Sequence, residues 1–125
     1  NCDSLEPKLL VYDKGTKCYG WIGDKKKCIE VVIPKEVTSI DARAFDDCDS
    51  LTSINIPEGV TNIGGFAFYG CSSLASINIP ESVKAIGCSA FEGCYNLDVV
   101  IYNSENNVSV DYYAFQGCKS VTYLK

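Results

Sequence analysis

The chain contains no histidine and no methionine among its 125 residues. Histidine is the commonest general base and a frequent metal ligand near neutral pH, so its absence removes the usual basis for acid–base catalysis and for zinc binding. The sequence also lacks a G-x-S-x-G elbow, a P-loop and a dinucleotide-binding fingerprint. These absences predict a non-catalytic protein that uses no metal and no cofactor.

Clusters of basic residues and long apolar runs are also scarce. The formal charge is −5, and the single basic run, Lys25 to Lys27, is explained by a solvated turn. Nucleic acids and anionic membranes are bound by clustered Lys and Arg, so neither is an expected partner. No apolar stretch approaches the roughly twenty residues that span a bilayer. Because the chain begins at Asn1 and lacks Met, we expect a mature or excised piece, with any signal peptide or anchor outside the sequence given.

A unit of twenty-three residues repeats along most of the chain. LTSINIPEGVTNIGGFAFYGCSS begins at Leu51, and LASINIPESVKAIGCSAFEGCYN begins at Leu74. An earlier copy opens at Cys28, a looser one opens at Leu97, and a partial one begins near Val121. A fixed period of this length marks a solenoid, in which each unit buries its apolar face only by stacking on its neighbours.

Each unit has the pattern of a short strand followed by a tight corner. Ile54-Asn55-Ile56 alternates with the period of a half-buried strand, and the proline that follows ends pairing because it has no N–H. The Ala-Phe pair near the end of the unit fills a corner. We therefore predict a mainly β, right-handed superhelix with few or no long helices, whose equivalent phenylalanines stack in one file. These are Phe45, Phe68, Phe91 and Phe115.

The ends of the repeat region have their own signals. Residues 1–27 do not follow the repeat, and two apolar runs around a Gly15 turn predict a β-hairpin that caps the solenoid of residues 28–125. In the last full unit the pair Ala114-Phe115 arrives one residue late. This delay predicts an inserted residue within the stretch 102–108.

Eight cysteines fall into two groups. One residue per unit forms a repeat column, which predicts reduced thiols packed as small apolar side chains; the column contains Cys48, Cys71, Cys94 and Cys118. The N-terminal cysteines leave two possible bridges open, Cys18–Cys28 or Cys2–Cys18, either of which would pin the cap and would require an oxidising compartment. Cys88 has no evident partner.

The pattern L-x-x-I-x-I-P-x-x-V-x-x-I-x-x-x-A-F-x-x-C resembles the BspA-like class of leucine-rich repeats, from about Cys28 to Leu124. The resemblance implies a curved solenoid on secreted or cell-surface proteins of host-associated bacteria and mucosal protists. Such proteins are often adhesins, so a host matrix protein or another microbial surface protein is the expected partner. The resemblance supplies no catalytic residue, and the oligomeric state stays open.

The outward side of the predicted strands is the first candidate binding surface. Its members are Glu30, Val32, Ser53, Asn55, Ser76, Asn78, Val99, Ile101 and Tyr123. The last three would form an apolar patch, which marks either a binding surface or the seat of further repeats. A loop edge that carries Tyr69, Tyr95, Tyr102, Tyr112 and Tyr113 is a further candidate surface. The alternative function is a structural spacer that has no ligand of its own.

Overall fold

A computed structural model describes residues 7–102 and 108–124 and contains eleven short strands. Regular helix in these residues is limited to one 3₁₀ turn, Lys25–Lys27. The strands are β1 (Lys8–Tyr12), β2 (Lys17–Ile22), β3 (Glu30–Val31), β4 (Ser39–Ile40), β5 (Ser53–Ile54), β6 (Asn62–Ile63), β7 (Ser76–Ile79), β8 (Ala85–Ile86), β9 (Asp98–Ile101), β10 (Ser109–Val110) and β11 (Ser120–Tyr123).

The chain winds in stacked coils, which we number 1 to 4 for residues 28–50, 51–73, 74–96 and 97–118. A partial coil 5 begins at residue 119. One side of the solenoid carries a six-stranded sheet in the order β1-β2-β4-β6-β8-β10. The other side carries β3-β5 and β7-β9-β11, which we call the strand face. All pairs between coils are parallel, as a solenoid requires. The predicted mainly β repeat solenoid is confirmed.

Phenylalanines run through the core in a single file. The rings of Phe45 and Phe68 lie 5.3 Å apart, those of Phe68 and Phe91 5.0 Å, and those of Phe91 and Phe115 5.6 Å, all nearly parallel. The first three rings are fully buried. The spacing matches the distance between parallel strands, about 4.8 Å, so one period of the sequence is one step of the stack.

The cysteine column lies beside this file and bonds between coils. The Cys71 thiol donates to the carbonyl oxygen of Phe45 at 3.2 Å, and Cys94 donates to that of Phe68 at 3.1 Å. Cys118 repeats the contact in coil 4 at 3.4 Å. Each thiol thereby gives a buried carbonyl a partner, which a purely apolar side chain would not do.

The N-terminal segment forms the predicted hairpin. Strands β1 and β2 pair antiparallel, and β2 continues the six-stranded sheet by pairing with β4. Trp21 packs against the core, and its backbone N–H donates to the carbonyl oxygen of Ala44 at 3.0 Å. At Gly20, where φ is +125°, an added Cβ would overlap the Ala44 backbone, so only glycine fits at this position. The hairpin covers the apolar end of coil 1.

The expected bridge between Cys18 and Cys28 is not formed, because the two residues belong to different columns. Cys18 pairs with Ile40 in the six-stranded sheet, whereas Cys28 begins coil 1 in the column of Leu51. Both thiols are free and buried, and the interaction with Cys48 together with burial raises the pKa of the Cys28 thiol. The other expected bridge involves Cys2, which lies outside the described residues.

Candidate functional site

Two columns of side chains project outward from the strand face. The first contains Glu30, Ser53 and Ser76, and the second contains Val32, Asn55 and Asn78. All six side chains are exposed, and Val32 reaches 81% exposure. Their orientation is the one that the alternation of the sequence predicts.

Val99 and Ile101 are buried, at 0% exposure, so their predicted outward orientation is wrong. Ser76 pairs with Asp98, a separation of 22 residues, whereas the prediction assumed 23. Asp98 and Val100 therefore occupy the outward columns in coil 4. Strand β10 lies 24 residues beyond β8, one more than the repeat period. Two residues are therefore added between β9 and β10. The Ala114-Phe115 pair shows only the net gain of one residue, so it does not reveal the one-residue shift of β9.

The outward orientation predicted for Tyr123 is also wrong. It pairs with Ile101 and so shares the inward side of its strand. It is nevertheless 55% exposed, because no described coil stacks on β11. The apolar patch expected from Val99, Ile101 and Tyr123 on the strand face does not exist.

The strand face is interrupted between coils 2 and 3. The Thr52 N–H donates to the Ile29 carbonyl at 2.8 Å, and the Asp98 N–H donates to the Ala75 carbonyl at 3.0 Å. Among the described residues, however, no backbone hydrogen bond joins β5 to β7. The six-stranded sheet on the opposite side stays continuous across the same two coils, through β6 and β8. We call the interruption the seam.

Proline removes one backbone donor at the seam. In coil 4, where proline is replaced, the Tyr102 N–H donates to the Ile79 carbonyl at 3.0 Å. Pro57 and Pro80 occupy the same position in coils 2 and 3 and have no N–H to donate. The equivalent carbonyls, those of Ile33 and Ile56, therefore need another donor.

Among the residues that the structure describes, an asparagine side chain supplies that donor at the junction of coils 1 and 2 alone. The Asn55 amide accepts from the Ile33 N–H at 2.8 Å and donates to the Ile33 carbonyl at 3.2 Å, so it replaces the missing peptide group between coils 1 and 2. Asn78 is the equivalent residue in coil 3, but it forms no such bond with Ile56. The seam keeps its unpaired edges as a result.

Two adjoining hollows lie along the seam, and together we call them the seam cleft. The smaller has a volume of about 270 Å³ and is lined by the two strand edges from Thr52 to Asn78. The larger, about 470 Å³, lies where the strands end. It is lined by Ile56, Glu58, Asn78, Pro80, Glu81 and Tyr102. Ile56 and Asn78 line both hollows, so the two lie side by side.

Aromatic residues gather at a separate edge of the solenoid, which we call the aromatic edge: Phe66, Tyr69, Tyr95, Tyr112 and Tyr113. The ring centroids of Phe66 and Tyr69 are 5.3 Å apart, and the Arg43 guanidinium lies 4.5 Å from the Phe66 ring. Tyr112 is 79% exposed, and its ring lies 6.4 Å from that of Tyr113. Tyr102, which the sequence grouped with these residues, belongs to the seam cleft instead.

Shifted pKa values do not mark a catalytic centre. Burial raises the pKa of the Cys18 thiol to about 12. A hydrogen bond with Cys94, together with burial, raises the pKa of the Cys71 thiol. Both thiols lie inside the core, where packing causes the shifts. The described residues contain no group of three or more His, Cys, Asp or Glu side chains arranged to hold a metal ion.

A profile described as a BspA type leucine rich repeat region matches residues 23–125 in six copies. The chain belongs to this BspA-type leucine-rich repeat family. The predicted membership is confirmed, and BspA-type repeats form repeat-based protein-interaction modules on a fold that is typically non-catalytic. Among the described residues, no helix is long and apolar enough to cross a bilayer.

Solved structures of other leucine-rich repeat proteins have the same fold. A leucine-rich repeat protein from Bacteroides ovatus is 34% identical and superposes with a TM-score of 0.75 over 94% of this BspA-type chain and 36% of its own. The leucine-rich repeat protein of T. pallidum is 26% identical and superposes with a TM-score of 0.65 over 92% of this chain and 67% of its own. A leucine-rich cell surface protein from Faecalibacterium prausnitzii is 24% identical. It superposes with a TM-score of 0.63 over 97% of this chain and 43% of its own. No curated protein matches the chain.

Proposed function

We propose that the chain is a protein-binding module of a secreted or cell-surface protein, and that it serves adhesion to a host matrix protein or to another microbial surface protein. Family membership supports the binding role, because BspA-type repeats are interaction modules. The chain spans only 36% of the Bacteroides relative, so the partner of the whole protein belongs to the proposal as well.

The aromatic edge is the observation that carries this function. Tyr95, Tyr112 and Tyr113 are each more than 60% exposed. Such exposure leaves much apolar ring area in water, which a partner would cover while the phenol groups form hydrogen bonds. Tyr69 and Tyr95 border a hollow of about 160 Å³ that would receive a partner side chain. Tyrosine is enriched at protein interfaces for these reasons.

The exposed members of the strand face form a second contact surface in this proposal. They are Glu30, Val32, Ser53, Asn55, Ser76 and Asn78. These short side chains leave the strands accessible, so a partner would come close to the backbone there. Val99 and Ile101 are no longer part of it, because both are buried.

Binding of the purified chain to immobilised host matrix proteins and to intact microbial cells tests the function. Replacing both Tyr112 and Tyr113 by serine should weaken binding about thirtyfold or more, because interface aromatics often contribute over 1 kcal/mol each. Tyr19→Ser, an exposed tyrosine of the hairpin, is the matched control and should bind like the wild type.

The alternative function, a structural spacer without a ligand, predicts a different result. The wild-type chain would then bind none of the surfaces, and the tyrosine variants would be indistinguishable from it. That outcome would refute the adhesion proposal and favour the spacer.

A further inference from the structure

Across the seam, two backbone acceptors of coil 2 receive no donor from the part of coil 3 that the structure describes. Carbonyls equivalent to that of Thr52 accept from the next coil elsewhere, as Ile29 and Ala75 do. The Ile56 carbonyl is equivalent to that of Ile79, which accepts from the Tyr102 N–H. Neither Thr52 nor Ile56 has such a bond across the seam, although both line the cleft. A ligand rich in donors would satisfy them.

The outer part of the cleft adds negative charge and an aromatic ring. The Glu58 side chain is exposed and forms no ion pair in the described part of the chain. Tyr102, 40% exposed, lines the same hollow from coil 4. Glu81 contributes a second carboxylate to the lining. Carbonyl oxygens, carboxylates and a tyrosine ring together favour a planar cation with several N–H donors.

We propose that the seam cleft binds an arginine side chain of the partner protein, a proposal that rests on the proposed protein-binding function. The guanidinium group stacks on the Tyr102 ring and pairs with Glu58. Its remaining N–H groups donate to the Ile56 carbonyl and to the amide oxygen of Asn78. The chain's net charge of −5 favours the approach of a basic segment.

Other ligands fit the cleft less well. An anion would meet the Glu58 carboxylate and the open carbonyls, all of which repel it. A purely apolar side chain would leave those carbonyls without partners, which costs free energy. Lysine carries the charge but lacks the planar donor fork that matches several acceptors and an aromatic face at once.

The probe for this proposal is a blocked arginine amide, compared with its neutral isostere, the blocked citrulline amide, and with a blocked lysine amide. Binding is followed by NMR shifts of the backbone amides in β5 and β7. The arginine amide should bind best and should perturb the amides of Ser76 to Asn78. Equal binding of citrulline or lysine, or shifts confined to other coils, would overturn the assignment.

A variant that closes the seam tests the geometry. Pro80→Ala restores the N–H that Tyr102 supplies in coil 4, so β5 and β7 should pair and arginine binding should be lost. Slower hydrogen exchange at residue 80 reports the closure. Pro34→Ala, the equivalent change in coil 1, is the control and should bind arginine like the wild type. Retained arginine binding in a Pro80→Ala variant whose residue 80 amide is protected would refute the cleft.

Glu58→Gln removes the charge while keeping the shape of the side chain. Exposed ion pairs are worth about 0.2–1 kcal/mol, so this variant should bind the arginine amide about 1.5- to 5-fold more weakly. The control Glu36→Gln, an exposed glutamate in coil 1, should bind unchanged. Unchanged binding in Glu58→Gln would contradict the proposed pairing.

These measurements need no macromolecular partner, so they fail or succeed independently of the adhesion assay. Serine at Tyr112 and Tyr113 should weaken adhesion while leaving the binding of arginine amide intact. Adhesion without arginine binding would refute the cleft alone, whereas arginine binding without adhesion would refute the proposed function alone.

Discussion

Single side chains in the core contact their equivalents in the neighbouring coils. The Phe68 and Phe91 rings stack at 5.0 Å with an angle of 3° between them, and each also meets a ring on its other side. The sequence predicts this file because the spacing stays at 23 residues from Phe45 to Phe91. The sequence is consistent with weak bonds from the cysteine column to the backbone, but it does not identify the acceptors, since a thiol donor and an apolar filler occupy the same position in a repeat.

The Cys18 thiol makes the stability of the fold depend on pH. Burial raises the pKa of its thiol from the ordinary 9.0 to about 12, so the folded chain favours the protonated form. The resulting stability is fully present below pH 9 and is lost as the pH rises towards 12. The wild type should lose roughly 1 kcal/mol per pH unit above pH 9 relative to Cys18→Val, as measured by urea unfolding.

Valine is the matched replacement because Val110 occupies the same column in coil 4. It packs without a titrating group, so the Cys18→Val profile isolates the contribution of one thiol. Parallel profiles for the two proteins between pH 8 and 11 would show that Cys18 does not couple folding to pH.

The orientation of some strands can be predicted from the sequence, and that of others cannot. The orientation of β5 and β7 is predicted correctly, because the period holds through both. The orientation of β9 is wrong because one residue is lost before it and two are gained after it, so the next Ala-Phe pair reveals only the sum. The seam could not be predicted either, since Asn55 and Asn78 are identical in sequence context but only Asn55 bonds across its junction.

Close approach between neighbouring corners requires glycine at particular positions. A Cβ at Gly87 would overlap the backbone nitrogen of Gly65 in the coil below. Gly87→Ala should therefore lower the free energy of unfolding by about 2 kcal/mol, the usual cost of overpacking. Gly59→Ala is the control, because its nearest neighbour, the Val37 carbonyl oxygen, is 3.7 Å away.

The control should be stabilised by about 0.4–1 kcal/mol, because alanine reduces the freedom of the unfolded chain. Thermal and urea unfolding of both variants provide the comparison. A Gly87→Ala variant as stable as Gly59→Ala would show that the corners have room to move apart.

The molecule as a whole is a one-dimensional stack of coils. The coils must stack because one coil alone buries too few apolar side chains to be stable. An inward set such as Ile54, Val60, Ile63 and Phe68 supplies roughly 1.5–3 kcal/mol per side chain. Ordering the backbone costs about 1–2 kcal/mol for each of the 23 residues in the coil. Stability therefore comes from contacts shared between coils, and several coils must fold together.

Removal of one complete coil tests this organisation. Deletion of residues 51–73 joins Ser50 to Leu74 and keeps every column in register, so the shortened chain should fold and unfold cooperatively. Its denaturant slope should fall in proportion to the lost buried area. Deletion of residues 51–72 leaves one residue too many, which turns the following strand over and should abolish cooperative unfolding.

Circular dichroism and urea titration distinguish the two shortened chains. Equal stability for both would mean that the columns do not depend on register. That result would remove the physical basis of the repeat.

The seam also gives the stack an uneven tensile strength. Tension along the long axis loads the junctions in series, and each holds through the bonds that cross it. Between coils 2 and 3 the strand face adds no backbone bond, because Pro80 removes the one that Tyr102 provides one junction later. The six-stranded sheet, the core and the corner bonds, such as that from the Phe68 N–H to the Ala90 carbonyl, hold this junction. A tether under flow would therefore yield first at this junction, and it would open towards the side where the cleft lies.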